Sequence, residues 1–206
     1  MNARPEGGLL VCIGASTGGI AALEAILPLL PRDAPPTLVV QHIPGRFAGG
    51  LATRLARHCA GSVREAKDGM ELKPGSILFA PGGDRHLAID PSGRRCRLVE
   101  GPPCAGHRPS VDVLFRSAAR HGRRAVGVLL TGMGRDGAAG LAAIRAAGGR
   151  TIAQSEESCT VYGMPRAAMD LGAVQLSLPP VRIPAALRAL AAGPPREGQL
   201  RRGEAE

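Results

Sequence analysis

Along this chain the apolar residues fall in short continuous runs, separated by stretches in which they recur at helical spacing. Residues 9–13 form the first run, which ends in Gly14-Ala15-Ser16-Thr17-Gly18-Gly19 and passes into residues 20–30, apolar at helical intervals. This reads as strand, tight turn, helix. Pro28 and Pro31 close the helix, residues 33–36 make a loop, and 37–42 read as a second, largely apolar strand stopped by Pro44-Gly45. A helix over about 47–59 would place Leu51, Leu55 and Cys59 on one face. Between 62 and 100 the pieces shorten: 76–80, 86–90 and 96–100 read as strands, the last two as a hairpin. Ser110 is placed to cap a helix running to about Arg120, and 125–131 is a third buried strand followed by an apolar helix over 138–147. Residues 151–153 and 173–176 read as further strands, with Pro165 suited to the first turn of a helix between them. Strands that alternate with helices and are apolar throughout predict a doubly wound α/β fold: a mainly parallel sheet with helices on both faces, plus a small antiparallel hairpin.

Length and composition sharpen this picture. With 206 residues, 44% of them hydrophobic, the chain can bury one sizeable core but has little room for two. A single domain over 1–192 is expected, followed at 193–206 by a disordered tail in which Leu200 is the sole sizeable apolar residue. No apolar run approaches the roughly 20 residues of a membrane helix, and the first eight residues lack the features of a secretory signal, so a cytoplasmic protein without membrane insertion is expected. Five cysteines without a Cys-x-x-Cys pair argue for free thiols, against a disulfide framework and against a thiolate metal site. The net charge of +9 raises nucleic acid as a partner. Nearly all of the excess is arginine, however, and Phe47, Phe79, Phe115 and Tyr162 are too few to build a stacking platform, so no nucleic-acid partner is expected. A basic face for an acidic protein partner stays open.

In an open α/β sheet, ligands bind beyond the carboxyl ends of the strands. Ser16 follows the first strand, His42 closes the second, and Asp136 follows the strand ending at Thr131. Together they supply a nucleophile, a base that titrates near neutrality and a carboxylate to orient that base. Gly14-Ala15-Ser16-Thr17-Gly18 also matches the G-x-S-x-G nucleophile elbow, with the following helix pointing amide donors at the same spot. Each residue has a plainer reading as well. The glycine-rich turn suits a phosphate or dinucleotide loop, but the second strand ends in Gln41-His42 where a ribose-binding Asp or Glu would stand, and no Walker motif is present. Asp136 taken alone serves equally well to begin a helix. His58, His86, His107 and His121 read as surface or structurally satisfied histidines.

With these segments in view, the chain resembles the catalytic domain of the chemotaxis protein-glutamate methylesterase (CheB) family. The resemblance rests on residues 13–19, 41–44, 80–82, 108–115, 129–137 and 163–166, and spans about 9–178. It implies a Ser16, His42, Asp136 triad in a serine hydrolase without metal or organic cofactor. It further implies hydrolysis of glutamate γ-methyl esters on the cytoplasmic helices of chemoreceptors, with deamidation of receptor glutamines as a companion activity. Backbone amides near Thr17 and Met133 are expected to stabilise the oxyanion, and Arg46, Arg108 and Arg135 are expected near the substrate. Solvated surface arginines are the plainer alternative for these three. Family members typically carry a receiver domain, and only eight residues precede the first strand, so regulation by a separate receiver protein and an unregulated esterase are both open. A generic small-ester or amide hydrolase, and a catalytically silent interaction module, are the competing functions.

Overall fold

The computed structural model describes residues 8–193, so the expected tail lies, apart from Gly193, outside the described residues. The first strand, β1 (Leu10–Ala15), is buried at every position and is followed by α1 (Gly19–Ile26). Then come β2 (Thr37–Gln41), α2 (Ala48–Ala56), β3 (Ser62–Glu65) and β4 (Ser76–Phe79). A hairpin of β5 (Arg85–Ile89) and β6 (Cys96–Glu100) precedes α3 (Val111–Ala119) and β7 (Ala125–Leu129). The chain continues with α4 (Ala138–Ala146), β8 (Arg150–Gln154), α5 (Met164–Asp170), β9 (Leu176–Leu178) and α6 (Ile183–Ala192).

Seven strands form one sheet in the order β3-β4-β2-β1-β7-β8-β9, with every pairing parallel, while β5 and β6 pair antiparallel apart from it. The doubly wound expectation holds, and so does the hairpin. Both faces of the sheet are covered, which explains why its central strands carry apolar residues at consecutive positions. Val11 and Ile13 pack with Leu23 of α1, Leu51 and Leu55 of α2, and Ile183 and Leu187 of α6. Leu10 and Cys12 face the other way, toward Leu114 and Phe115 of α3, Leu141 and Ile144 of α4, and Leu87 and Ile89 of the hairpin. Burial pushes the Cys12 thiol far above its usual range, as expected of a cysteine used as a small hydrophobe.

Two elements have no counterpart in the pattern-based expectations, and one strand is displaced from its expected place. The edge strand β3 buries only Val63, so it carries no apolar run to detect. The last strand lies at 176–178 because Ala173 is used up closing α5, its N–H donating to the Ala168 carbonyl. α6, which has Pro184 in its first turn and buries Ile183 and Leu187 one turn apart, went unread.

Chain direction reverses about β1, since β2 leads to one side of the sheet and β7 flanks the other. This is a switch point, where the loops after adjacent strands diverge and leave a crevice. One glycine decides what can sit there. A Cβ at Gly14 would lie 2.2 Å from Cγ1 of Val111, so only glycine lets the first turn of α3 reach the end of β1. Gly14→Ala is therefore expected to cost about 1–3 kcal/mol of stability through overpacking. For a chain of this size that is a fall in Tm of roughly 2–10 °C by calorimetry; an unchanged Tm would refute the close approach.

Candidate active site

Strand register alone brings two of the three expected residues side by side. Ala15 pairs with Gln41, so Ser16 and His42, one residue on, leave the sheet as neighbours, and the His42 N–H donates to the Ala15 carbonyl at 2.9 Å. On the other flank Gly14 pairs with Leu129, and the Ser16 N–H donates to the Thr131 carbonyl at 3.0 Å. Gly132 then lies against the serine, where an added Cβ would come within 2.6 Å of the Ser16 Cβ.

Asp136 arrives from the loop after β7 and is 1% exposed. Its Oδ2 accepts from His42 Nε2 at 2.9 Å and from the Val111 N–H at 2.8 Å. Its Oδ1 accepts from the Ser110 hydroxyl at 2.7 Å and from the Asp112 N–H at 3.0 Å. The carboxylate thus occupies the N-terminus of α3, taking two N–H groups that the helix cannot satisfy and sitting at its positive end. Burial by itself would push the carboxyl up, but the bonds from His42, the Asp112 N–H, Ser110 and the Val111 N–H outweigh it and hold the group below the usual carboxylate range. Ser110 does not cap α3 with its own side chain; it hands that position to Asp136. The arrangement is mutual, because Asp112 in α3 accepts the Gly140 N–H of α4 at 2.7 Å. Burial, aided by the Asp136 charge, pushes the Asp112 carboxyl up.

His42 has its other ring nitrogen, Nδ1, buried with no hydrogen-bond partner. Ser16 and His42 share no hydrogen bond among the described residues, although they leave adjacent strands together. A neutral imidazole whose Nε2–H donates to Asp136 carries its lone pair on Nδ1. Nδ1 is therefore the ring nitrogen left able to accept a proton.

Two peptide groups beside Ser16 are held by their carbonyls. The Ser16 carbonyl accepts from Gln41 Nε2 and from the Gly19 N–H, at 2.9 and 2.8 Å. The Gly132 carbonyl accepts from the Gly163 and Met164 N–H groups, at 3.1 and 2.8 Å. Because a trans peptide is planar with N–H opposed to C=O, fixing these carbonyls aims the N–H groups of Thr17 and Met133 the other way. Neither N–H has an acceptor among the described residues.

The remaining expected residues are spread around this centre. Thr17 is exposed and its carbonyl accepts from the Thr131 hydroxyl, while the Met133 side chain is 71% exposed. Arg135 is exposed next to Asp136. Arg108 donates from Nη1 to the Gly101 carbonyl and from Nε to the Gly83 carbonyl, so it braces two loops. The Arg46 side chain lies outside the described residues. Among the described residues, no group of three His, Cys, Asp or Glu side chains could hold a metal ion. Pattern reading missed Gln41 as the clamp on the serine carbonyl, although its polarity at a position 7% exposed was a signal. It also read His107 as an ordinary structural or surface residue, whereas the His107 ring lies flat on that of His42, centroids 3.8 Å apart and planes 7° from parallel. No spacing rule announces that contact. His86 is a satisfied structural histidine, bonded to the Ser110 N–H and the Pro102 carbonyl.

A doubly wound α/β protein with a serine turn and a buried imidazole–carboxylate pair at its switch point defines a narrow class, and comparison with known proteins gives it a family. The chain belongs to the CheB methylesterase family, whose model matches residues 11–187. It is 56% identical over 181 residues to a protein-glutamate methylesterase/protein-glutamine glutaminase of Agrobacterium fabrum, covering 87% of this chain and 52% of that one. A Caulobacter vibrioides protein of the same description is 55% identical over 170 residues, 82% of this chain and 49% of that one. The chain therefore spans about half the length of the curated relatives it matches. The crystal structure of the Thermotoga maritima CheB methylesterase catalytic domain superposes with a TM-score of 0.84 at 40% identity, covering 87% of this chain and 97% of that one. Among the described residues, no helix is long and apolar enough to cross a membrane.

Asp136→Asn would turn an amide donor toward groups that are themselves donors. The expected cost is on the order of 3 kcal/mol, read as a lower Tm at neutral pH. Since the folded Asp136 carboxyl lies below its unfolded value of about 3.9, its contribution is complete above that value and is lost as pH falls through the folded one. The Tm of the variant should accordingly fall less steeply on acidification than that of the parent; parallel pH profiles would contradict the assignment.

Proposed function

We propose that this chain is the catalytic unit of a serine hydrolase that removes γ-methyl esters from glutamates on chemoreceptor signalling helices and deamidates receptor glutamines. The observation that carries the reading is the state of His42, which leaves the sheet next to Ser16: one ring nitrogen is bonded to a buried carboxylate and the other is buried and unpartnered. The descriptions of relatives at 55–56% identity, protein-glutamate methylesterase/protein-glutamine glutaminase, support the choice of glutamate esters and glutamine amides as the bonds cleaved.

In this reading Ser16 Oγ attacks the ester carbonyl carbon while its proton passes to His42 Nδ1. Asp136 holds the imidazole through Nε2 and stabilises the cation that forms, the role of the third group in hydrolase triads, here with the two ring nitrogens exchanged relative to the chymotrypsin arrangement. The carbonyl oxygen becomes an oxyanion between the unpaired N–H groups of Thr17 and Met133, which need no reorganisation because their peptides are already held by Gln41, Gly19, Gly163 and Met164. His42 returns the proton to the methoxy oxygen, methanol leaves, and an acyl-serine remains. Water, giving its proton to His42, then attacks the acyl carbon; glutamate is released as the proton returns to Ser16. For a glutamine side chain the same sequence expels ammonia.

Substrate docking is assigned to the exposed rim. Met133 offers an apolar contact next to the oxyanion position, and Arg135 offers a cation to the acidic face of a receptor helix. Arg108 serves docking indirectly, by bracing the loops at Gly83 and Gly101.

Ser16→Ala should reduce methanol release from methyl-labelled receptor membranes at least about a thousandfold, within the range seen when a triad member is lost, with Tm unchanged; undiminished release would end the proposal. Arg135→Glu should raise KM for receptor about tenfold, leaving turnover of a small chromogenic ester as it was. Equal effects on both substrates would remove Arg135 from the docking surface.

A further inference from the structure

We infer that His107 is a positioning residue, a flat clamp that fixes the plane of the His42 ring so that Nδ1 stays turned toward Ser16. The inference rests on the triad reading above and adds a residue to it. A single hydrogen bond, Nε2 to Asp136 at 2.9 Å, sets the direction in which the His42 ring points but not its rotation about that axis. No hydrogen bond on Nδ1 supplies the second constraint, since that atom is buried without a partner. Something else must hold the plane. Among the described residues, the one ring contact on His42 is with His107, stacked at 3.8 Å with the planes 7° from parallel. Tilting the His42 ring would drive its edge into the neighbouring face, so the stack blocks the motion that the hydrogen bond allows.

The backbone under His107 is built to hold that ring still. Residues 104–107 form a two-residue hairpin, with Cys104 and His107 exchanging N–H···O bonds of 3.0 Å in both directions. The two residues at its tip, Ala105 and Gly106, have φ of 51° and 81°, the signature of a type I′ turn. For alanine that conformation is uncommon and persists where the surroundings require it. Two residues later Pro109 leads into Ser110, whose N–H is bonded to the buried His86 ring at 3.1 Å. The hairpin is therefore anchored on the same N-terminus of α3 that receives Asp136, and the clamp and the carboxylate approach His42 from one rigid base.

Charge is compatible with this role. Burial first, and then the neighbouring His42, push the His107 ring below the usual histidine range, partly offset by Asp136. At neutral pH His107 is uncharged and places no cation against the imidazolium that His42 becomes during turnover.

The test compares the parent with His107→Ala and His107→Phe, the latter keeping a flat face while losing both nitrogens. On methylated receptor, His107→Ala should lower kcat about tenfold, equivalent to about 1.4 kcal/mol in the barrier, with KM within about twofold. His107→Phe should return kcat to within about threefold of the parent. Nitrogen-15 NMR of the His42 ring gives a readout that needs no turnover: one Nε2–H tautomer in the parent and His107→Phe, and a mixture of tautomers in His107→Ala. An inactive parent with an ordered His42 ring would overturn the esterase reading and leave the clamp intact. An active parent whose His107→Ala variant keeps its kcat and its single tautomer, or whose folded His107→Phe variant is no better than His107→Ala, would overturn the clamp.

Discussion

The structure turns on a buried carboxylate that would be untenable without its partners. Asp136 is almost wholly out of water, where an unpaired charge would be driven to protonate. Two backbone N–H groups, one hydroxyl and one imidazole meet it instead. Every element that carries these donors must then be in place: α3 by its first turn, β2 by the residue at its end, and the loop after β7 by the path that brings Asp136 back. The close approach of α3 to β1, possible only because Gly14 lacks a side chain, is the steric side of the same constraint.

Around that carboxylate the site is built largely from backbone. Strand register makes Ser16 and His42 neighbours, and clamped carbonyls aim two N–H groups without any side chain at the point of use. Such a construction tolerates little motion, because each peptide is fixed at its far end by an unrelated segment: β2 for one, the turn entering α5 for the other. Side chains enter where the backbone cannot reach, with Gln41 bridging β1 and β2 and the His107 ring stacked on that of His42.

The sequence showed the scaffold well because continuous apolar runs have one economical explanation, a sheet buried on both faces. It pointed to the candidate site for a related reason: Ser16, His42 and Asp136 each stand just past the end of a predicted strand, and in a doubly wound fold those ends converge. What stayed hidden depends on contacts between segments distant in the chain. β3 is an edge strand with a single buried residue, and α6 follows a proline-rich turn that reads as a terminus. His107 sits in a loop whose glycine and proline content announces a turn but not what the turn covers. Ser110 looked like a helix cap, and only the folded arrangement shows that it yields this place to a carboxylate far along the chain.

The mutual capping of α3 and α4, each helix having its first turn met by a carboxylate from the other's neighbourhood, has a practical corollary. Asp136 lies immediately before α4, and its acceptor geometry depends on how the two helices lie against each other. A lesion in the seam between them, at Phe115 or Leu141 for instance, would move the carboxylate away from His42 while touching neither residue. Under the proposed function, a genetic screen scored on receptor methylation would recover such lesions among the loss-of-function alleles, mixed with those at Ser16. Sorting the two groups would require a measure of folding alongside the phenotype.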